Sequence, residues 1–400
     1  MARTLAIPTF RSTLNFDTIR ERPSRLAQKP FKSAKRRSYR VEGFPLYDGG
    51  SDQAIFSVIG VSCAALAMMQ HQKANLGAGV ETNKPKVSLK DSVKAVISSA
   101  KELDLDWGGC ESSGPRAEME DCWCMHRLTA ENMLYFGVFD GHGGSASSAF
   151  LKENLLSFTS AAGTFLCRSV IGEGISEYGV IDENPLALAF EQADCHLLDH
   201  LSTLGDPDCW SGSTATVVFL SSSHILTANV GDSRAVLGRK NRTIDLSNDH
   251  RPVSSTKAGR SEINRIAACG GWISQMRVCG ILAVTRAFGD YEFKGGRSEL
   301  LEDLRVVGIP KSGTLVRPPV VAVPDVSVIE RTVDDDFLII ATDGLWDVTN
   351  SVQAITFVRS IVKKNPNCSM DEIARSLIDR AIRSRTGDNV SCIVIDLRTA

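Results

Sequence analysis

Three short apolar runs end or begin at a turn that carries an aspartate. Asp140-Gly141-His142-Gly143 follows Met133 to Phe139, Asp343-Gly344 follows Phe337 to Thr342, and Gly387-Asp388-Asn389 opens the run from Asn389 to Ile395. A glycine beside an aspartate at a strand end lets the backbone turn sharply and exposes both a carboxylate and a main-chain carbonyl to a shared cleft. A fourth acidic element, Arg116-Ala117-Glu118-Met119-Glu120-Asp121, sets carboxylates around Glu120 with a cation nearby. Oxygen-only ligands in this number suit hard divalent ions such as Mg²⁺ and Mn²⁺, not zinc or copper. Two such ions about 3.5 to 4 Å apart can share a water, lower its pKa and deliver it to a phosphorus centre. Any one Asp-Gly taken alone reads as a tight turn, so the argument rests on their coincidence.

The elements that must position these turns are legible from the apolar pattern. Met133 to Phe139, Thr214 to Leu220, His224 to Val230, Phe337 to Thr342 and Asn389 to Ile395 are short runs rich in β-branched residues and bounded by turn residues, which predicts strands. Ser145 to Ser157, Pro185 to Leu204, Thr256 to Ala268, Ser351 to Lys363 and Met370 to Ser384 carry apolar residues at three- and four-residue spacing, which predicts amphipathic helices. Ile373, Leu377 and Ile378 then fall on a core face. The mixture calls for strands packed against helices.

At 400 residues and 43% hydrophobic content the chain can bury one large core or two ordinary ones. A formal net charge of −2, with no long basic stripe in the central part, gives no reason to expect a nucleic-acid partner. Charge is nevertheless unevenly placed, since residues 1–40 hold eight Arg and three Lys against only Asp17 and Glu21. With many Ser and Thr, that is the composition of a chloroplast or mitochondrial transit peptide; a disordered basic arm is the plainer alternative, and Lys35-Arg36-Arg37 as a nuclear signal ranks below the transit reading. Ala54 to Met69 follows without a charge but is shorter than the roughly twenty residues of a comfortable span. It reads as a core helix or the tail of the targeting region, and peripheral membrane contact stays open. The polar residues 71–90 read as a linker, which puts the organisation at a targeting region 1–50, an apolar segment and linker 51–87, and a catalytic domain 88–400. Eleven Cys at irregular spacings, with Cys122 and Cys124 as the closest pair, and seven scattered His suggest reduced, mostly buried thiols and no structural zinc.

With these residues in view, the chain resembles the metal-dependent protein phosphatases of type 2C. The resemblance is carried, in the family's order, by RAEMED at 116–121, FDGHGG at 139–144, SGSTATV at 211–217, GDSR at 231–234, NDHRP at 248–252, AVTRAFGD at 283–290, ATDGLWDV at 341–348 and GDN at 387–389. It runs from about Gly109 to the C-terminus. It implies an α+β fold, a four-layer α-β-β-α sandwich of two antiparallel sheets flanked by helices. It also implies hydrolysis of phosphoserine and phosphothreonine on proteins by a water activated at two Mg²⁺ or Mn²⁺ ions. Carried over residue by residue, Glu120, Asp140 and the Gly141 carbonyl would hold one ion and Asp140, Asp343 and Asp388 the other, with Asp121 behind them. Arg116 would clamp the substrate phosphate through its guanidinium fork, and His142 would protonate the departing oxygen. The Ser211-Gly212-Ser213-Thr214 and Gly231-Asp232-Ser233-Arg234 turns, and Asn389, are expected to serve the scaffold.

Departures from the family pattern limit what is carried over. Cys209 stands where many members have an aspartate that helps hold a third ion, the nearest acid being Asp208, so a third ion is not implied. Tyr291 to Pro324 is longer than the flap linker of many relatives and is expected to shape substrate choice; its likeness to chloroplast members agrees with the N-terminal composition. Trp272 is out of register with the tryptophan of hormone-receptor-binding plant members, so that receptor is not expected as a partner. The expected partners are phosphoprotein substrates, with no nucleic acid, no stable membrane span and a monomeric chain. No Cys sits in a phosphate-binding loop, so no phosphocysteine intermediate is expected. The rivals are a catalytically silent member that only binds phosphoproteins and a phosphoesterase acting on small molecules.

Overall fold

The computed structural model describes residues 103–169, 185–295 and 315–398. The expected targeting region, the apolar stretch 54–69, the linker and the first residues of the expected catalytic domain, 88–102, lie outside the described residues, as does 296–314 in the long flap linker. In chain order the strands are β1 (Trp107–Ser112), β2 (Cys122–Leu128), β3 (Met133–Phe139), β4 (Gly141–His142), β5 (Gly212–Ser213), β6 (Ala215–Leu220), β7 (His224–Val230), β8 (Arg234–Arg239), β9 (Arg242–Asp245), β10 (Ile273–Ser274), β11 (Arg277–Val278), β12 (Phe288–Gly289), β13 (Asp325–Glu330), β14 (Asp335–Ala341) and β15 (Val390–Asp396). The helices are α1 (Ala146–Ser169), α2 (Pro185–Leu201), α3 (Lys257–Ala268), the one-turn α4 (Tyr291–Lys294) and α5 (Asp343–Trp346), α6 (Ser351–Lys364) and α7 (Met370–Arg383).

Two five-stranded antiparallel sheets stack face to face, in the orders β1-β15-β14-β8-β9 and β13-β7-β6-β3-β2. Alternation of side chains along each strand explains why both faces of these strands are apolar. In β3, Leu134, Phe136 and Val138 enter the layer between the sheets, whereas Met133, Tyr135 and Phe139 face helices α1 and α2 through Leu151, Leu155, Phe190 and Leu197. In β14, Leu338 and Ile340 enter the same central layer, whereas Phe337, Ile339 and Ala341 meet α6 and α7 through Ile355, Val358, Ile373 and Leu377. The result is the expected four-layer α-β-β-α sandwich. Burying one such aromatic or aliphatic side chain contributes about 1.5–3 kcal/mol.

The five strands and five helices expected from the sequence are all present in this architecture. The differences lie at polar ends: Thr214 and Asn389 sit just outside β6 and β15, because their side chains bond to neighbouring loops rather than continuing the ladder. Helices α6 and α7 each open on a capping box, Asn350 with Gln353 and Ser369 with Glu372, which satisfies otherwise orphaned backbone donors. Helix α1 runs twelve residues past its expected end at Ser157, to Ser169. The sequence reading missed β1, β2, β8, β9 and β13, whose residues WGGCES, CWCMHRL, RAVLGR, RTID and DVSVIE are too polar to stand out as apolar runs. Four of these are sheet edges, where one side of the ladder meets solvent. Among the described cysteines all nine are free, but only four are buried, so the expectation of mostly buried thiols is corrected.

Candidate active site

The acid-bearing turns gather at one end of the sandwich. Asp140 leaves the end of β3, Asp232 the end of β7 and Asp343 the end of β14, while Glu120 and Asp121 precede β2 and Asp388 precedes β15. In antiparallel sheets the end of one strand lies beside the beginning of its neighbour, so these six acids are carried to the same end of the sandwich, where Asp140, Asp232 and Asp343 come together. Asn389 ties the two sheets together there: its Oδ1 accepts from the Glu120 amide at 2.7 Å, and its Nδ2 donates to the Ser113 and Glu118 carbonyls, both at 2.9 Å. Thr342 Oγ1 donates to Asp121 Oδ2 at 2.9 Å and accepts from the Ser391 amide. Gly344 and Gly141 are required by close approach, since a Cβ on either would collide with a backbone carbonyl, that of Asn389 and of Glu120 respectively.

Carboxylate oxygens of Asp140, Asp232 and Asp343 all lie within 4.8 Å of one another. The turns that the sequence assigned to the scaffold hold this cluster in place. The Asp140 amide donates to Thr214 Oγ1 at 3.1 Å, the Thr214 amide donates back to the Asp140 carbonyl at 2.9 Å, and Thr214 Oγ1 meets Ser233 Oγ at 2.9 Å. Asp232, expected to be a scaffold residue, is corrected to a member of the acidic cluster: the turn after β7 lies two strands from β3, and the Thr214–Ser233 bond brings it under Asp140.

Crowding acids in a half-dry site disfavours their charged forms. Burial, then the nearby carboxylates of Asp121, Asp343 and Asp232, push Asp140 well above the usual carboxylate range. Burial and the charges of Asp232 and Asp347 carry Asp343 up to about 8 despite Arg251. Burial raises Asp121 to about 7 against the hydrogen bond from Thr342. A cluster of this kind fits hard divalent cations, because positive charge at its centre relieves the repulsion that otherwise favours protonation.

The remaining expected site residues frame the cluster. Glu120 sits beside it, its Oε1 accepting from the Gly144 amide at 2.5 Å. The Arg116 guanidinium, 51% exposed, bonds the Gly387 carbonyl through Nε and Asp388 Oδ2 through Nη2, at 2.9 and 2.8 Å. His142 Nε2 lies 3.0 and 3.1 Å from the two oxygens of Asp290, a nearly buried carboxylate that the sequence reading did not single out. Burial pulls the imidazole pKa down, but the charge and hydrogen bond of Asp290 outweigh it and the net shift is upward. Gly212 makes room for this pair, since a Cβ there would run into both His142 Nε2 and the Asp290 carboxylate. Arg251 was also missed as a site residue. Its guanidinium bridges Asp232, Asp343 and Asp347. The Asp343/Asp347 spacing was a readable signal, because four residues on a helical turn return to the same side.

The fold and cleft thus define an acid-lined site for hard cations beside an arginine and a histidine. Comparison with known proteins agrees. The family model described as Protein phosphatase 2C matches residues 105–390. Protein phosphatase 2C 57 of Arabidopsis thaliana is 36% identical over 302 residues, covering 73% of this chain and 75% of the relative. Probable protein phosphatase 2C 2 of Oryza sativa subsp. japonica is 33% identical over 315 residues, covering 76% and 74%. The crystal structure of serine-threonine phosphatase 2C from Toxoplasma gondii shares the fold at a TM-score of 0.54 and 20% identity, covering 74% of this chain and 96% of that one. The chain belongs to the protein phosphatase 2C family. It is a metal-dependent protein serine/threonine phosphatase, and phosphoproteins are its substrates. Among the described residues no helix is long and apolar enough to cross a membrane.

Proposed function

We propose that the cleft removes phosphate from phosphoserine and phosphothreonine with two Mg²⁺ or Mn²⁺ ions held by Glu120, Asp140, the Gly141 carbonyl, Asp343 and Asp388. Asp140 would contribute to holding both ions, and Asp121 braces the site from behind through Thr342. The observation that carries this reading is the convergence of Asp140, Asp232 and Asp343, from three separate strand ends, to within 4.8 Å. When bound, the ions supply Lewis-acid activation of a water toward phosphorus.

The chain's own groups do the rest. Arg116, anchored by Gly387 and Asp388, presents a planar, permanently charged fork that matches phosphate oxygens and orients the phosphoester above the acids. His142 faces Asp290 through Nε2, and the carboxylate shifts the imidazole toward its protonated form, the form that would protonate the departing seryl or threonyl oxygen. The Asn389 and Thr214 hydrogen bonds keep Glu120 and Asp140 in place through the cycle.

The direct test is phosphate release from a phosphothreonyl peptide by the full-length chain with Mn²⁺, with EDTA, and for Asp343→Asn in Mn²⁺. Activity that requires the metal and falls on the order of a hundredfold or more in the variant supports the reading. Metal-replete inactivity toward several phosphopeptides would favour a silent phosphoprotein-binding module, and faster turnover of free phosphometabolites would favour a small-molecule phosphoesterase.

The same reading takes residues 1–50 as a chloroplast transit region, 51–87 as the apolar segment and linker, and 88–400 as a monomeric catalytic domain. Its support is the excess of Arg, Lys, Ser and Thr in the first forty residues. A fluorescent fusion of residues 1–87 should label chloroplasts, and a purely cytosolic signal would sink the assignment.

A further inference from the structure

Arg251 lies in the Asn248-Asp249-His250-Arg251-Pro252 loop between β9 and α3. Its nitrogens are divided among three carboxylates: Nε bonds Asp232 Oδ2 at 2.5 Å, Nη2 bonds Asp343 Oδ2 at 2.6 Å and Nη1 bonds Asp347 Oδ1 at 2.8 Å. Two of the three, Asp232 and Asp343, belong to the acidic cluster. The loop is itself fastened to the turn that carries Asp232. The His250 amide donates to the Gly231 carbonyl at 2.9 Å, the Gly231 amide donates to His250 Nδ1 at 3.1 Å, and the Thr285 amide donates to the His250 carbonyl at 2.8 Å. On the other side, the Asp347 amide donates to the Asp343 carbonyl at 2.8 Å, which holds both acids toward the same guanidinium.

We infer that Arg251 is an internal counter-ion of the acidic cluster, which stabilises the metal-free protein and weakens the hold of the cluster on divalent cations. This rests on the reading of Asp140 and Asp343 as metal ligands. The argument is electrostatic. Three neighbouring carboxylates repel one another, and the only cation bonded to two of them among the described residues is this guanidinium. Positive charge that relieves repulsion when no metal is present opposes a second positive charge arriving at the same oxygens. Asp343 Oδ2 is committed to Nη2, so a cation at Asp343 and the guanidinium compete for one carboxylate. A fork with three separate anchors is also hard to swing aside, unlike a lysine ammonium on a flexible stem. Arg251 is therefore a positioning residue that sets metal affinity.

The test is calorimetric titration of Mn²⁺ into EDTA-stripped full-length wild type, Arg251→Gln and Arg251→Lys. Arg251→Gln should bind tighter by about tenfold at one site or more, the scale on which one adjacent charge shifts an equilibrium at a partly buried site. Arg251→Lys, which keeps the charge but loses the three-anchored fork, should bind Mn²⁺ between wild type and Arg251→Gln. Without metal, Arg251→Gln should melt at a lower temperature than wild type, and saturating Mn²⁺ should restore most of the difference. Unchanged or weaker Mn²⁺ binding in Arg251→Gln overturns the inference. A second readout needs no loss-of-charge variant: the ¹⁵N–¹H resonance of Arg251 Nε, assigned by its loss in Arg251→Lys, should shift in step with Mg²⁺ occupancy of the wild type. A resonance that stays put to saturation overturns the inference even if Arg251→Gln fails to fold. Absence of any Mn²⁺ binding by wild type would instead remove the metal reading itself, a result distinct from wild type and variant binding alike.

Discussion

At the residue scale, the site is a set of charges that the fold holds closer than water would allow. Asp140, Asp232 and Asp343 share one small volume, Arg251 compensates them from one side, and Arg116 and His142 stand at the rim with partners of their own. Space is as constrained as charge, and Gly212 shows it. Gly212→Ala would drive a methyl into the His142–Asp290 pair, while leaving the acidic cluster untouched. The expected outcome is a fall in kcat of about a hundredfold or more, the size of a general acid's contribution, with Mn²⁺ affinity near wild type. Steady-state kinetics alongside a metal titration checks it. A parallel loss of metal affinity would show that the two halves of the cleft are not separable.

At the element scale, the cleft depends on loops held by side chains rather than by the strand ladder. Asn389 makes three hydrogen bonds to the 113–120 segment, two donated and one accepted, and so carries Arg116 and Glu120 toward the β14–β15 end. Asn389→Ala takes the side-chain partner from the Glu120 amide and the Glu118 carbonyl, while the Ser113 carbonyl keeps its bond from the Arg116 amide, at about 1–3 kcal/mol for the group most deeply buried. Thermal denaturation should register that loss, and phosphatase activity should fall further than stability alone explains. The segment around α3 is held by a different device. Glu262 is buried between Arg265, at 2.8 Å, and Arg286, at 2.8 Å, and Arg286 also reaches Asp325 in β13. Burial pushes the Glu262 carboxyl up, but the two arginines outweigh it and bring it down to about 2. A carboxylate whose folded pKa lies below its unfolded value of 4.5 stabilises the fold at higher pH and loses that contribution as the pH falls from there toward 2. The contribution is on the order of 3 kcal/mol above that window. Glu262→Gln should therefore lower Tm near neutral pH and flatten its fall on acidification, as pH-dependent melting of the EDTA-treated protein would reveal; a variant with the parent's acid profile would contradict the assignment.

At the scale of the whole molecule, the layer between the two sheets is the common foundation of every strand end that carries an acid. Phe136 lies within it, fully buried, on the strand that ends at Asp140. Phe136→Ala should destabilise the protein by about 3–5 kcal/mol, the usual range for deleting a buried ring. Chemical denaturation measures this, and a loss near zero would mean the inter-sheet layer is not what holds the cleft.

The continuous apolar runs such as Met133 to Phe139 and Phe337 to Thr342, and the three- and four-residue spacing in α6 and α7, were enough to read five of the ten strands of the two large sheets and the five longer helices, since run length and periodicity are local properties of the chain. The acid-bearing turns were equally legible, because a glycine beside an aspartate leaves a mark within two or three residues. Edge strands such as Cys122–Leu128 were not, because half of their environment is solvent and their composition follows it. Nor were the pairings of Asp290 with His142, of Asn389 with the Glu120 amide, and of Arg251 with Asp232 and Asp343. These partners are separated by 148, 269, 19 and 92 positions along the chain. Local sequence can say which groups are able to bear charge at a turn. Which of them share a cleft depends on sheet order and on how the two sheets stack, and those are set by burial of side chains far from any of the charges.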